Sequence, residues 1–181
     1  NFVDAWILGE YAQIFLNSTK LVIGTLILNL TVSGLAGFSL AKLYPRGSNA
    51  FLVYLLVGVS IPAQMFILPL FLMWKELGLM NTHFGLIIIY AGLNAPFATF
   101  LIRSYMIQLP DELFDAAKID GANTLQLFYR IALPISWPVF LTTGLVVGLA
   151  VWNEFLFALT FVHDDTQKPI TTILFAFQIR F

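Results

Sequence analysis

The segment Pro110-Asp111-Glu112-Leu113-Phe114-Asp115-Ala116-Ala117-Lys118-Ile119-Asp120-Gly121-Ala122-Asn123-Thr124 decides how the rest of this chain is read. It closes with Leu133-Pro134 and Pro138, and long apolar runs lie on either side of it. Pro110 has no N–H to give and suits a turn entering a helix. Asp111 and Glu112 then stand where acids favour a helix start, against the positive end of the helix dipole. Lys118 falls in the last turn, where a cation is favoured. Gly121 follows as a left-handed stop. A second helix is predicted from Asn123 or Thr124 to Leu133, with apolar Leu125, Phe128, Tyr129 and Ala132 recurring at helical spacing. Ala116 and Ala117 give the first helix a low profile that lets another backbone or side chain come close. The segment reads as a short helical hairpin held outside a membrane and built to be gripped by a soluble partner.

The flanking composition supplies the membrane. Of 181 residues, 59% are hydrophobic and 10% charged, and the mean hydropathy is +0.86. A soluble domain carries about 25% charged residues, so the class is an integral membrane protein. The net charge of −1 offers no basic field for nucleic acid. The absence of cysteine excludes disulfides and thiol chemistry. Asp4 and Glu10 replace the cationic start of a signal peptide.

In chain order, residues 1–16 read as an interfacial lead-in, with Trp6, Tyr11 and Phe15 suited to a membrane–water boundary. Spans are expected near 18–42, 48–74, 84–107 and 131–160, with a polar loop at 108–130 and a partial element at 169–181. Gly24, Ser33, Gly34, Ala36 and Gly37 give the first span a small-residue face for close helix packing. Pro62 and Pro69 interrupt the second, which is expected to be kinked or broken. His83 stands alone at a boundary and reads as a wetted loop residue rather than a ligand. Lys42 and Arg46 on one loop, and Arg103, Lys118 and Arg130 around the other, assign 42–47 and 108–130 to the cytoplasmic side. Pro134 and Pro138 fall in the first turns of the fourth span. Asn94, Asn153 and Glu154 are the polar side chains set in apolar runs. Asn94 is either packing glue or a path residue, and Asn153 is a candidate path residue; Glu154 lies on the path or at its outer gate, or else reaches interface water or pairs within the protein.

A short amphipathic helix ending in Gly is by itself a common surface element, but the full order is more specific. An acid, two alanines, a glycine a few residues on and an Ile/Leu-Pro exit resemble the cytoplasmic EAA loop of ABC importer permeases. Ala116, Ala117, Gly121, Ile131, Leu133 and Pro134 match, while Asp115 stands where that family usually has Glu. Ile119-Asp120-Gly121-Ala122 and Trp152-Asn153-Glu154-Phe155 are similar to the sugar-importer branch. Asn17-Ser18, Leu77-Gly78-Leu79 with Asn81-Thr82, and Pro110-Asp111-Glu112-Leu113 resemble the smaller permease subunit of maltose-type carbohydrate importers. That family usually has six spans. Four and part of a fifth lie here, so a fragment lacking the first and last spans is expected.

The resemblance implies an all-α, polytopic transmembrane helical bundle in a bacterial or archaeal inner membrane. It implies a second permease subunit, two ABC ATPase subunits and an extracytoplasmic substrate-binding protein as partners, with the lipid bilayer around them and no nucleic acid. Glu112, Asp115, Ala116, Ala117, Asp120 and Gly121 would form the ATPase-docking loop. Asp115 would meet a basic group on the ATPase with a side chain one methylene shorter than that of Glu. No Gly-rich Lys-Ser/Thr phosphate loop is present, so ATP would be hydrolysed by the partner subunits, with no cofactor on this chain. Two other classes fit less of the pattern. One is an ion-coupled secondary transporter or channel subunit using Glu154. The other is a non-transporting membrane assembly subunit.

Overall fold

The structure, a computed structural model of the chain, describes residues 11–172, and all regular structure among them is helical. The N-terminal part of the expected interfacial lead-in and most of the element expected at 169–181 lie outside the described residues. Helix α1, Tyr11–Phe38, continues into a π-helical turn at Ser39–Leu43. Together they give an apolar stretch at Ala12–Leu43, within which an 18-residue window has a mean hydropathy of 1.9. At about 1.5 Å per residue it exceeds the roughly 30 Å hydrocarbon core of a bilayer. Helices α2 (Ser48–Ser60) and α3 (Ile67–Glu76) follow, separated by a 3₁₀ turn at Ala63–Phe66. Helix α4, His83–Met106, is again long and apolar and runs on through Pro96.

The hairpin comprises α5 (Asp111–Ile119) and α6 (Thr124–Leu127). A π turn at Phe128–Ala132 and a short α7, Leu133–Ile135, carry the chain on to α8, Trp137–Trp152. Helix α9, Leu156–Phe161, comes last before a 3₁₀ turn at Asp165–Gln167. Two of these helices are long and apolar enough to cross a membrane, or up to four if each broken pair counts as one span.

The breaks have local causes. Pro62 forces the residue before it out of the helical region, and Ile61 is extended at φ −85°, ψ 126°. Pro69 makes no break. It is the third residue of α3, in the first turn, where a missing N–H leaves no bond unmade. The expected fourth span is not straight: α8 is bent 77° from the helix that precedes it. Ser136 sits at that corner between Pro134 and Pro138. Its N–H still donates to the Ala132 carbonyl at 2.9 Å.

The chain divides into two compact units. The first contains residues 11–27, 62–91 and 148–172. It is closed by polar ties between α1 and the segment after α9. The Asn17 side-chain amide donates to the carbonyls of Thr166 (2.8 Å) and Lys168 (3.3 Å). The Ser18 hydroxyl accepts the Ile170 N–H at 2.9 Å. Phe15 meets Trp152 edge to face at 5.3 Å.

The second unit contains Leu28–Ile61 and Gly92–Val147. Its core is Phe38, Ala41, Ile102, Met106, Phe114, Leu127, Phe128, Ala132, Val139 and Phe140, all buried. Gly34 and Gly37 make the close approach that their small size suggested. A Cβ at Gly37 would lie 3.2 Å from the Arg103 backbone nitrogen, and one at Gly34 would lie 2.8 Å from the Phe140 ring. Larger residues there would push α1 off its neighbours.

Candidate functional site

The hairpin is built as the sequence suggests and turned so that one face is free. Helix α5 starts after Pro110, with Asp111 and Glu112 in its first turn and Lys118 in its last. Gly121 is left-handed, at φ +82°. Its N–H donates to the Lys118 carbonyl (3.0 Å), and the Ala122 N–H donates to that of Ala117 (2.9 Å), which satisfies carbonyls the helix end would leave bare. Helix α6 opens with a reciprocal cap. The Asn123 side-chain oxygen accepts the Gln126 N–H at 2.9 Å, and the Gln126 side chain accepts the Asn123 N–H at 2.8 Å.

Phe114 points inward and packs 6.0 Å from Phe38, ring centre to ring centre. Ala117 is half-buried against the same core. The opposite face carries Glu112, Asp115, Ala116 and Ile119, all exposed, at helical spacing. Ile119 is 86% exposed and Leu125 62%. Asp115 pairs with Lys118 at 2.9 Å, with both side chains more than half exposed. Such a pair is weak and easily exchanged for a partner outside. A groove of about 360 Å³ at the bend of the hairpin is lined by Ala117, Asp120, Gly121, Ala122, Gln126, Arg130 and Ile131.

The second hairpin helix departs from the expected apolar pattern. Leu125 and Tyr129 are exposed, and the residues that reach the core are Leu127, Phe128 and Ala132. Leu125 lies in α6 ahead of the π turn at Phe128–Ala132, and Tyr129 lies within that turn.

The candidate path residues are divided between the two units. Asn94 is half-buried in the second unit, while Asn153 and Glu154 belong to the first. Asn153 is exposed and donates to its own helix at the Leu149 carbonyl, 2.7 Å away. Glu154 is half-buried and fully occupied within the protein. Its carboxylate accepts the Tyr90 hydroxyl (2.8 Å) and the N–H groups of Phe157 (2.9 Å) and Ala158 (3.2 Å), so it caps α9.

Asn81 organises the neighbouring turn, and the sequence reading passed over that role. It is left-handed at φ +56°. Its N–H donates to the Phe161 carbonyl at 3.0 Å, and its side-chain oxygen accepts the N–H groups of His163 (2.6 Å) and Asp164 (3.3 Å). Only asparagine or aspartate combines tolerance of that backbone with a short acceptor, so an Asn in a polar turn was the available signal. His83, expected to be wetted, lies 3.1 Å through Nε2 from the Gln167 carbonyl. The Thr166 hydroxyl and N–H both donate to Asp164 and hold its carboxyl below the ordinary carboxylate value.

Long apolar helices and a single amphipathic hairpin with a bare outer face define a helical membrane protein of the ABC-permease type. Residues 33–181 match the family of the binding-protein-dependent transport system inner membrane component, and the chain belongs to that family. It is 36% identical over 178 residues to a probable ABC transporter permease, YurM, of Bacillus subtilis, covering 98% of this chain and 59% of that protein. It is 31% identical over 172 residues to the diacetylchitobiose uptake system permease NgcG of Streptomyces coelicolor, covering 95% and 57%. It is 35% identical over 157 residues to the arabinooligosaccharides transport permease AraQ of Halalkalibacterium halodurans, covering 87% and 56%. The fold is similar to a chain in the crystal structure of a bacterial ABC transporter that imports the acidic polysaccharide alginate. The TM-score is 0.82 at 25% identity, over 90% of this chain and 56% of that one. The chain thus spans under two thirds of the length of these relatives. The family is one of transport-system membrane components rather than catalytic enzymes.

Proposed function

We propose that this chain is the membrane-spanning part of a permease subunit in an ATP-driven importer of a sugar or oligosaccharide. The hairpin 108–130 is its docking element for an ATPase subunit on the cytoplasmic side. The observation that carries this reading is the two-faced construction of α5. Phe114 and Ala117 fasten it to the core, while Glu112, Asp115, Ala116 and Ile119 stand bare on the other side. A helix fixed on one face and bare on the other transmits force if something grips it. Asp115, held only by an exposed pair with Lys118, is free to exchange that partner for a basic group on the ATPase. Ala116 permits close seating.

The remaining partners follow from the same reading. They are a second permease subunit, two ATPase subunits that hydrolyse the ATP, and an extracytoplasmic binding protein that delivers the sugar. The assembly sits in the inner membrane with loops 42–47 and 108–130 inside. Relatives named for diacetylchitobiose and arabinooligosaccharides favour an oligosaccharide cargo.

The test is co-purification of the full-length protein with its ATPase subunits. Asp115→Lys together with Ala116→Trp, a reversed charge and a bulky side chain on the bare face, is expected to lower ATPase recovery about tenfold. A loss of roughly 1.4 kcal/mol of contact energy suffices for that. Full recovery would remove the hairpin from the interface.

A further inference from the structure

Lys42 reads in the sequence only as a charge that orients the chain, and in the structure it does something else. It lies in the π turn Ser39–Leu43 that ends the first long helix. Its side chain is 4% exposed. The ammonium donates to the Leu109 carbonyl at 2.6 Å and to the Asp111 carboxylate at 2.6 Å. It also stands 5.2 Å from the centre of the Phe114 ring. Leu109 closes the turn leaving α4, its N–H donating to the Met106 carbonyl. Asp111 is the first residue of α5. One buried ammonium therefore ties the ends of α1 and α4 to the start of the hairpin, with its donors spent on two oxygens and its charge over an aromatic face. A second tie lies nearby, where the Arg103 Nε donates to the Leu40 carbonyl at 3.4 Å.

A buried cation is costly unless paired, and an aliphatic side chain would fill the same space without that cost. What the ammonium adds is direction: its hydrogen bonds fix where α5 leaves the membrane helices. We infer that Lys42 is the positioning residue that locks the hairpin to α1 and α4, so that displacement of the hairpin moves those helices instead of being absorbed in the loop. The inference rests on the hairpin being the ATPase-docking element. Removing Lys42 would leave the Leu109 carbonyl without its donor and free the hairpin to open locally. Attachment would survive and transmission would fail.

The experiment uses the full-length permease reconstituted with its partner permease, ATPases and binding protein, and reads substrate imported per ATP hydrolysed. Lys42→Met, which keeps the length of the stem, is expected to lower that ratio about tenfold while ATPase recovery stays at the wild-type level. An unchanged ratio overturns the inference. Lys42→Met combined with Leu43→Lys moves the charge by one residue and preserves any orienting role. It is expected to stay uncoupled, and recovery of the ratio would show that Lys42 acts only through its charge. Amide exchange on the purified full-length protein gives a readout independent of transport. Residues 111–119 are expected to exchange about tenfold faster in Lys42→Met with α4 unaltered, and equal exchange counts against the lock. Failure of the docking reading would show separately, as full ATPase recovery with the Asp115 and Ala116 substitutions.

Discussion

Among single residues, Glu154 shows how a chemically suggestive side chain acquires a structural role. Read from sequence, it is a lone acid in an apolar run. A path residue, an ion site, an interfacial group and a carboxylate paired within the protein all remain open, because sequence does not reveal which donors surround a carboxylate. In the fold, its two oxygens receive the Tyr90 hydroxyl and the N–H groups of Phe157 and Ala158. Glu154→Gln places an amide NH₂ opposite one of those donors and breaks part of the cap. The expected result is a loss of about 1 kcal/mol in stability, the usual cost of losing a helix cap, seen as a lower midpoint of unfolding in detergent. Uptake by the remaining folded transporter should keep its substrate KM. A shifted KM with an unchanged unfolding midpoint would return Glu154 to the path. Asn81 and Lys42 were illegible for a related reason. Both act through backbone carbonyls and N–H groups of distant segments, and these leave no trace in residue type.

Among elements, the hairpin was legible because its signals are local. Pro110, the first-turn acids, Lys118, Gly121 and the Asn123–Gln126 cap each act within a few residues, and each appears where its chemistry requires. The exposure of Leu125 and Tyr129 was not legible, since helical spacing alone does not say which side of a short helix meets the core. The break at Pro62 but not at Pro69 turned on where each proline falls relative to a helix start. Gly121 offers the test at this scale. At φ +82° a β-branched residue is strained, by roughly 1–2 kcal/mol for the left-handed region. Gly121→Val is therefore expected to misdirect α6 and lower ATP-driven uptake several-fold. Gly121→Asn, which accepts that backbone, is expected to retain most of it. Equal uptake in the two variants would mean that the turn geometry does not matter to coupling.

For the molecule as a whole, composition was decisive for the membrane class, because apolar side chains in this proportion have no aqueous alternative. What composition could not convey is which faces are covered by the chain itself. Helix α2 is the clearest case: Leu55 is buried, whereas Phe51, Val53, Tyr54, Leu56, Val57 and Val59 are exposed around it. In water such a surface would aggregate, so lipid or another membrane helix must cover it. An arginine at Val57, in the last turn of α2 and toward the middle of the broken pair α2–α3, tests this. A charged side chain deep in a spanning helix costs about 2.5–3.5 kcal/mol on insertion scales, enough to cut correct insertion by roughly tenfold or more. Val57→Arg is therefore expected to shift most of the full-length protein out of the fraction that resists alkaline extraction from membranes. Arginine at Tyr44, in the loop before α2, should leave that fraction unchanged. If Val57→Arg inserted as well as the loop variant, α2 would have to lie at the water boundary, and the broken pair α2–α3 would not be a span.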